Sequence, residues 1–505
     1  MTLQRRTRFL LALGSGFVLA LAFPNYNLPV LAWFSVALLL VASIGARPWE
    51  AALCGFLHGA VFYPATLPWM YTVMRVYGNL SFFEATGVFA LVGIAAALFP
   101  AAFSLAVERI GKASVASACL FAPFFWVALE FARTHLPIIG FPWNLIGYAA
   151  SSNLAILQLT AWTGVYGLSF LLVAYGALLA WTLETRPQRS RFVAVGVTAA
   201  LLAIALFGHW FVPHDSPQYV AHLVSTNFPQ SESYPSDWLD LHASELDRLE
   251  RLSVSAARAN PGLIVWPEVP APFSLEDPKF AARAVRIARD SGSFFLLGVD
   301  DWKSDSAGRW AASNSAVLLD PSGRRVFTYD KIHLVPFGEY VPLRRWLTFA
   351  AKLTAEIGDF QPGTVYRVGN LPGGTFAAFI CFEAVFPAEV KRFAAGGAEL
   401  LINISNDGWF VGSAAPPQHL MMARVRAVEN RRWLLRDTNK GFTVDVDPYG
   451  RYAALIDIDH VGVVEAPYGF RSDTTLYTRW GDWWAWLCVI VSLILLGAAF
   501  VQRKN

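Results

Sequence analysis

The stretch FAAFICFEAVFP, residues 376–387, begins as an apolar run and ends in a cysteine that is followed two residues later by a glutamate. The run FAAFI is short, apolar and aromatic, which predicts a buried strand ending at Cys381. The chain has only four cysteines, and no second cysteine lies near this one in the sequence. A reactive thiol at a strand end is one interpretation, and a buried structural cysteine is the other.

Outward from this strand, apolar runs alternate with helical patterns over residues 217–470. Further strands are predicted at 263–266, 294–300, 315–320 and 399–407, and the last strands follow residue 432. Helices are predicted at 236–259 with a serine at the N-cap, at 277–292 ending in Gly292, and at 418–432. This alternation indicates an α/β domain whose sheet is covered by helices on its faces.

Residues 9–211 and 482–501 are almost continuously apolar. The chain is 55% hydrophobic and 15% charged, whereas a soluble protein carries about 25% charged residues, so the composition is that of a membrane protein. A span needs roughly 20 apolar residues. Eight spans are predicted, at 8–23, 28–45, 51–73, 84–107, 115–134, 156–183, 192–212 and 482–501. The predicted fold is therefore a membrane α-helical bundle with seven spans in 1–213, the α/β domain in 217–470, and a C-terminal span with a tail in 482–505.

The first two predicted spans are short and are joined by PNYN (24–27), which favours a tight helical hairpin. The first span could also be the apolar core of a signal peptide. No A-x-A cleavage site follows it, so we expect it to be retained.

Basic residues are concentrated on one side of the predicted spans, with eleven on that side and two on the other. The eleven are Arg5, Arg6, Arg8, Arg47, Arg109, Lys112, Arg186, Arg189, Arg191, Arg503 and Lys504, and the two are Arg75 and Arg133. The positive-inside rule then places both termini in the cytoplasm and the α/β domain outside it. An unpaired cysteine in an oxidising compartment favours the reactive interpretation of Cys381. The net charge of +3 gives no indication of a nucleic-acid partner.

Three residues follow apolar runs and together could support nucleophilic catalysis. Glu268 follows LIVWP, Lys331 lies in YDKIH, and Cys381 follows FAAFI. A carboxylate can take the thiol proton, and an ammonium favours the thiolate and stabilises an oxyanion. Taken singly, such a Glu or Lys is usually a solvated loop residue. No His/Cys cluster has the spacing of a metal site, so no metal and no cofactor are expected.

Four segments resemble the signature segments of the nitrilase superfamily: IVWPE, YDKIHLVPFGEYVP, FICFEAVFP and LLINISNDGWF. A nitrilase-like domain between seven N-terminal spans and one C-terminal span resembles the apolipoprotein N-acyltransferases. RAVENRRWLLRDTNKG and FPWNLIGY (141–148) are also similar to segments of that family. The resemblance implies an αββα sandwich with a catalytic triad of Glu268, Lys331 and Cys381.

The same resemblance implies the reaction and its partners. A phospholipid would give an acyl chain to Cys381, and the thioester would pass it to the N-terminal amine of a lipoprotein's diacylglyceryl-cysteine. Glu268 would be the base and Lys331 the oxyanion stabiliser. Glu339 would position one of them, and Glu383 matches the acid that the family carries two places after the nucleophile. The implied location is the bacterial inner membrane, with the catalytic domain on the periplasmic side.

Two positions depart from the family pattern. Phe382 stands where the family commonly has Tyr, and Ser233 and Tyr234 stand where it usually has Lys-Trp. These departures affect the expected rate or substrate handling more than the triad. The loop 139–150 and the stretch 341–360 carry apolar and aromatic residues outside the spans, and we expect them to lie on the lipid surface.

Some alternatives remain open from the sequence. A membrane-tethered nitrilase-type amidase or lipid hydrolase would use the same triad, although one anchor would suffice for it. A transporter with an exported sensing domain is a second alternative, although no matched pair of broken helices is evident. Ionisable residues in or near the spans are functional candidates: His58, Glu84, Glu130 and Arg133. A structural pair of Glu130 and Arg133 at a helix end is the simpler interpretation of those two.

Overall fold

The computed structural model describes residues 3–136, 140–185, 188–231, 234–304, 310–336, 338–340, 360–410 and 412–501, with side chains as far as Ala498. Several sequence predictions therefore lie outside the described residues. They concern Ser233, the basic residues Arg186, Arg503 and Lys504, and nearly all of the apolar stretch 341–360.

The N-terminal region is helical, as its apolar runs predict. Its helices are α1 (Arg5–Leu21), α2 (Ala32–Ser43), α3 (Pro48–Thr66), α4 (Pro68–Val76), α5 (Phe82–Gly111), α6 (Val115–Thr134), the single turns α7 (Gly147–Ala150), α8 (Leu154–Leu157) and α9 (Thr160–Thr163), α10 (Val165–Thr185) and α11 (Gln188–Phe207).

Four of the described helices are long and apolar enough to cross a membrane: α5, α6, α10, and α11 with the turn that extends it to Phe211. The pair α3 and α4 would make a fifth span, bent by 52° at the break before Pro68, where proline removes a helical N–H donor. The segments Pro29–Ser43 and Trp483–Ala498 are apolar but shorter. The predicted count of eight spans stays a prediction.

The predicted span 156–183 is wrong at its start. The structure has single turns up to Thr163 and begins α10 only at Val165. Gly164 separates them with a φ of +65°, and a Cβ at this position would lie 2.5 Å from the Tyr477 ring. The backbone conformation and the close ring both require glycine here.

The first two apolar segments form the predicted helical hairpin. Ser15 and Ser35 each donate a hydroxyl hydrogen to the backbone carbonyl of the other, at 2.8 and 2.9 Å. His58 Nδ1 on α3 lies 2.8 Å from Ser15 Oγ, so this histidine belongs to a polar contact between the first three helices.

The other singled-out ionisable residues bond to backbone groups. Glu84 accepts a hydrogen bond from the Ser81 N–H at the start of α5 (2.8 Å). Glu130 accepts from the Ile146 N–H (2.7 Å). Arg133 donates to the carbonyl oxygens of Phe141 and Trp143, both at 3.1 Å. Glu130 and Arg133 thus make three hydrogen bonds to the backbone of the loop after α6, while their charges still attract each other.

The described residues of the α/β region form twelve strands in two sheets. The strands are β1 (Tyr219–Ser225), β2 (Leu263–Val265), β3 (Phe294–Ser304), β4 (Trp310–Leu319), β5 (Arg325–Asp330), β6 (Gly369–Leu371), β7 (Gly374–Ile380), β8 (Leu400–Asn406), β9 (Trp433–Asn439), β10 (Thr443–Val446), β11 (Tyr452–Ile456) and β12 (Gly462–Tyr468). The first sheet has the order β12-β1-β2-β3-β4-β5, and the second has the order β11-β10-β9-β8-β7-β6.

Helices cover both outer faces of the paired sheets. They are α12 (Trp238–Leu241), α13 (Ala243–Arg258), α14 (Pro278–Ser291), α15 (Pro387–Ala395) and α16 (Ala415–Asn430), followed by α17 (Leu476–Trp480) and α18 (Trp483–Val501). Leu223 and Leu296 of the first sheet pack with Ile402 and Leu435 of the second in one buried core. This arrangement is the αββα sandwich that the resemblance implies.

Two predictions for the helices on the first sheet had different outcomes. The helix predicted at 277–292 is confirmed as α14, which begins after Asp277 and ends at the left-handed Gly292. The serine cap predicted for 236–259 is wrong. The segment is divided into α12 and α13, and Asp237 precedes the first of them.

Candidate functional site

Lys331 lies between two carboxylates at one edge of the sandwich. It directly follows β5 and is 1% exposed. Its Nζ lies 3.0 Å from Glu268 Oε1 and 2.9 Å from Glu339 Oε1. Burial acts to lower the pKa of Lys331, but the two carboxylates outweigh it and raise the pKa well above its ordinary value. The side chain is therefore a cation held in place on two sides.

Asn314 on β4 holds both carboxylates from a second direction. Its Nδ2 donates to Glu268 Oε1 at 2.7 Å and to Glu339 Oε1 at 2.9 Å. Its backbone carbonyl accepts from the Lys331 N–H at 2.8 Å. A buried charge pair is stable only if its remaining lone pairs are satisfied, and Asn314 satisfies one lone pair on each carboxylate. Sequence reasoning missed this residue.

The second oxygen of each carboxylate is bonded to backbone. Glu268 Oε2 accepts from the N–H of Asn406, the last residue of β8 (2.8 Å). Because Glu268 lies just after β2, this hydrogen bond links the first sheet to the second. Glu339 Oε2 accepts from the Val335 N–H (2.7 Å). Gly298 on β3 permits the close approach of the Glu268 segment, because a Cβ there would lie 2.6 Å from Glu268 Cα.

Cys381 begins a 3-10 turn, Cys381–Val385, directly after β7. Its φ is +48°, in the left-handed region that a residue with a Cβ adopts only at a cost. Burial raises the pKa of its thiol well above the ordinary value; the Glu268 charge raises it further and the Lys331 charge lowers it. The thiol therefore keeps its proton at neutral pH and needs a base during attack.

Glu383 ties the cysteine turn to the segment that carries the lysine. Its Oε2 accepts from the Ile380 N–H at 2.7 Å, immediately before Cys381. Its Oε1 accepts from the Tyr329 hydroxyl at 2.7 Å and from the Ile332 N–H at 2.8 Å. Burial raises the pKa of Glu383 to about 7, against the hydrogen bonds that favour the charged form.

The Phe382 ring lies near other aromatic rings, and one of these rings belongs to the membrane region. Its ring centroid lies 6.4 Å from that of Trp143, with the planes 21° apart, and 5.7 Å from the His333 ring. Trp143 belongs to FPWNLIGY, which lies in the loop 139–150 that the sequence analysis placed outside the spans. The aromatic residue after Cys381 thus packs where the two regions meet.

Tyr234, one of the residues that depart from the family pattern, connects to Asn406 through Gln230 by two hydrogen bonds. Its hydroxyl accepts from Gln230 Nε2 at 3.5 Å, and Gln230 Oε1 accepts from Asn406 Nδ2 at 2.8 Å. Asn406 is the residue whose N–H holds Glu268. Tyr234 is therefore linked to Glu268 through Gln230 and Asn406.

The described ranges contain no group of three or more His, Cys, Asp or Glu side chains that could hold a metal ion. All four cysteines are buried and free, and the charges of Lys331 and Glu268 both act on the Cys381 thiol. The arrangement combines a protonated thiol, a carboxylate beside it and a fixed ammonium. These are the groups that acyl transfer through a thioester requires.

Comparisons with known proteins cover both regions. Residues 15–178 match the family described as "Apolipoprotein N-acyltransferase N-terminal domain", and residues 234–478 match the family described as "Carbon-nitrogen hydrolase". An apolipoprotein N-acyltransferase from Geobacter metallireducens is 34% identical over 99% of this chain and 96% of its own. One from Methylococcus capsulatus is 32% identical over 98% of this chain and 96% of its own.

Among solved structures, an amidase of the nitrilase superfamily from Nesterenkonia AN1 is 20% identical, covers 52% of this chain and 94% of its own, and has a TM-score of 0.38. The full-length relatives, which match the helical and the α/β regions together, are decisive. The chain belongs to the apolipoprotein N-acyltransferase family.

Proposed function

We propose that this chain transfers an acyl chain from a phospholipid, through a thioester on Cys381, to the N-terminal amine of the diacylglyceryl-cysteine of bacterial lipoproteins. The observation that carries the proposal is the Lys331 ammonium fixed between Glu268 and Glu339, with its charge acting on the buried Cys381 thiol. Membership of the family supplies the class of acceptor.

In the first half-reaction, Glu268 takes the proton of the Cys381 thiol as the sulfur attacks the ester carbonyl of the phospholipid. An ammonium has three N–H groups, and in the described part of the chain two of those of Lys331 bond to carboxylates. The third can stabilise the tetrahedral oxyanion. The intermediate collapses as Glu268 returns the proton to the leaving alkoxide. A lysophospholipid leaves and the thioester remains.

In the second half-reaction, the lipoprotein amine attacks the thioester carbonyl. Glu268 takes a proton from the attacking nitrogen, and Lys331 again faces the oxyanion. The C–S bond breaks and the proton returns to sulfur. The products are an amide and the free Cys381 thiol, so the enzyme regains its starting state.

Four further residues would support these steps without forming bonds to the substrate. Glu339 and Asn314 hold Lys331 and Glu268 at a fixed separation. Glu383 fixes the backbone that enters the cysteine turn. Phe382 places an aromatic ring beside the thiol, toward the membrane region.

The proposal includes a location in the cytoplasmic (inner) membrane. Residues 1–213 and 482–505 would lie in or at the membrane, and the catalytic region 217–470 would lie on the periplasmic side. The eleven-to-two asymmetry of basic residues supports this orientation. The apolar face of α11, of which Val195 and Leu202 are more than half exposed, supports contact with lipid.

The mass of the intact protein tests the proposal. Full-length protein incubated with a phospholipid of one acyl chain should gain the mass of that acyl group, and hydroxylamine, which cleaves thioesters, should remove it. Cys381→Ala should gain no such mass. An adduct that survives hydroxylamine, or that forms in Cys381→Ala, would contradict the proposed chemistry.

A further inference from the structure

The start of α16 lies against the membrane region, and Gln418 bonds there to three separate segments of it. Its Oε1 accepts from Trp143 Nε1 at 2.7 Å. Its Nε2 donates to the carbonyls of Pro24 at 2.9 Å and Thr66 at 3.0 Å. These partners come from the α1–α2 connection, the end of α3 and the loop after α6. Both amide hydrogens of this fully buried side chain are therefore used.

The next residue, His419, reaches the backbone of the nucleophile. Its Nε2 lies 3.1 Å from the Cys381 carbonyl oxygen. Because a carbonyl oxygen only accepts, Nε2 carries a hydrogen. Its Nδ1 lies 3.0 Å from Asp407 Oδ1 and 3.1 Å from Arg436 Nη2, so the ring is held from both sides.

The Cys381 backbone needs such support. A non-glycine residue in the left-handed region persists only where its surroundings hold it there. Among the hydrogen bonds at this turn, one runs from His419 to the Cys381 carbonyl and one from the Ile380 N–H to Glu383.

A second connection runs through Trp143. Its indole bonds to Gln418, and its ring packs 5.7 Å from the His419 ring and 6.4 Å from the Phe382 ring. The helical region thus contacts both the histidine that holds the nucleophile and the residue that follows the nucleophile. Displacement of one region relative to the other would disturb both contacts.

The structure assigns a positioning role to Gln418 and His419. These two residues couple the contact between the α/β region and the membrane helices to the orientation of the Cys381 nucleophile. The inference rests on the proposed function, because it makes full acyl-transfer reactivity depend on the membrane region. Both residues act through Cys381.

Two substitutions at His419 test the coupling. A glutamine amide nitrogen can occupy the place of Nε2, whereas the shorter asparagine places its nitrogen near Nδ1. His419→Asn should lower the maximal rate of Cys381 acylation about tenfold, as the loss of one hydrogen bond implies, with an unchanged KM for phospholipid. His419→Gln should stay within about threefold of wild type. Equal losses in both variants, or no loss in His419→Asn, would overturn the assignment.

Gln418→Glu tests the membrane side of the coupling. It keeps an oxygen for Trp143 but replaces the donor that serves Pro24 and Thr66 with an acceptor. The rate at which iodoacetamide alkylates Cys381 in the full-length protein should fall about tenfold. Met421→Leu, on the same helix and similar in volume, is the matched control and should leave the rate unchanged. An unchanged rate in Gln418→Glu would overturn the coupling.

Alkylation needs no lipid, so this series separates the inference from the proposed function. If wild-type protein formed no hydroxylamine-sensitive adduct, the proposed function would fail. The alkylation rates of the Gln418 and His419 variants would still decide whether the two residues position the thiol.

Discussion

Replacement of Lys331 by methionine should disable the site mainly by changing the charge of the base. The lysine is the cation between Glu268 and Glu339. Without it, the two carboxylates face each other through Asn314 alone. Like charges at close range disfavour simultaneous ionisation, and Lys331→Met leaves no cation between the two carboxylates to oppose that repulsion.

The size of this effect follows from the geometry. Glu268 Oε1 and Glu339 Oε1 lie 2.7 and 2.9 Å from the same Asn314 nitrogen, so they are separated by at most about 6 Å. At an effective dielectric constant of about 20, two unit charges at that distance repel by roughly 3 kcal/mol. That energy corresponds to about 2 pH units. With the cation gone this repulsion is unopposed, so the acidic limb of the Lys331→Met profile should lie about 2 pH units above that of a variant that also lacks the Glu339 charge.

The assay is the alkylation of Cys381 by iodoacetamide between pH 5 and 10 in the full-length protein, followed on the peptide that contains the cysteine. Lys331→Met should react slowly at neutral pH and recover part of its rate at higher pH. The double variant Lys331→Met/Glu339→Gln removes the competing charge and should move the profile back toward lower pH. A double variant with the same profile as the single variant would refute the electrostatic reasoning.

Three further predictions concern the turn and the topology. Cys381→Ala should abolish acyl transfer while the protein remains in the membrane fraction at wild-type abundance; loss of the protein instead would favour a structural cysteine. Glu383→Gln should reduce activity at least tenfold, because an amide that keeps its oxygen toward Ile332 turns its N–H toward the Ile380 N–H; near-normal activity would contradict the role of this carboxylate. A cysteine introduced at His214 should react in intact cells with a reagent that does not cross membranes, and one at Arg189 should not; the reverse pattern would overturn the orientation.

Much of the fold could be predicted because its signals are local. The apolar strands 376–380 and 399–407 and the Asp277–Gly292 helix limits are short-range patterns that the structure reproduces with small shifts. The errors also have local causes. Pro68 bends one predicted span, and Gly164 separates the turns before α10 from that helix. Both residue types are known breakers, but a hydropathy average conceals them.

The contacts within the site were harder to predict. Glu268, Lys331 and Cys381 follow apolar runs, which marked them as candidates. Asn314 lies within a strand, and its contact with two carboxylates depends on how β3, β4 and β5 pair. His419 is one of nine histidines and carries no distinguishing neighbour pattern. The Gln418–Pro24 bond joins residues 394 positions apart, so only the assembled fold reveals it.

The fate of the thioester tests the central claim most directly, because transfer and hydrolysis share the first half-reaction. Full-length protein should be loaded with a labelled acyl chain from phospholipid and then given a diacylated lipopeptide with a free N-terminal amine. The account predicts that the thioester persists with phospholipid alone, discharges into an amide when the lipopeptide is added, and does not discharge when that amine is acetylated. Rapid release of free fatty acid from phospholipid alone, unaffected by the lipopeptide, would contradict acyl transfer and identify a lipid hydrolase.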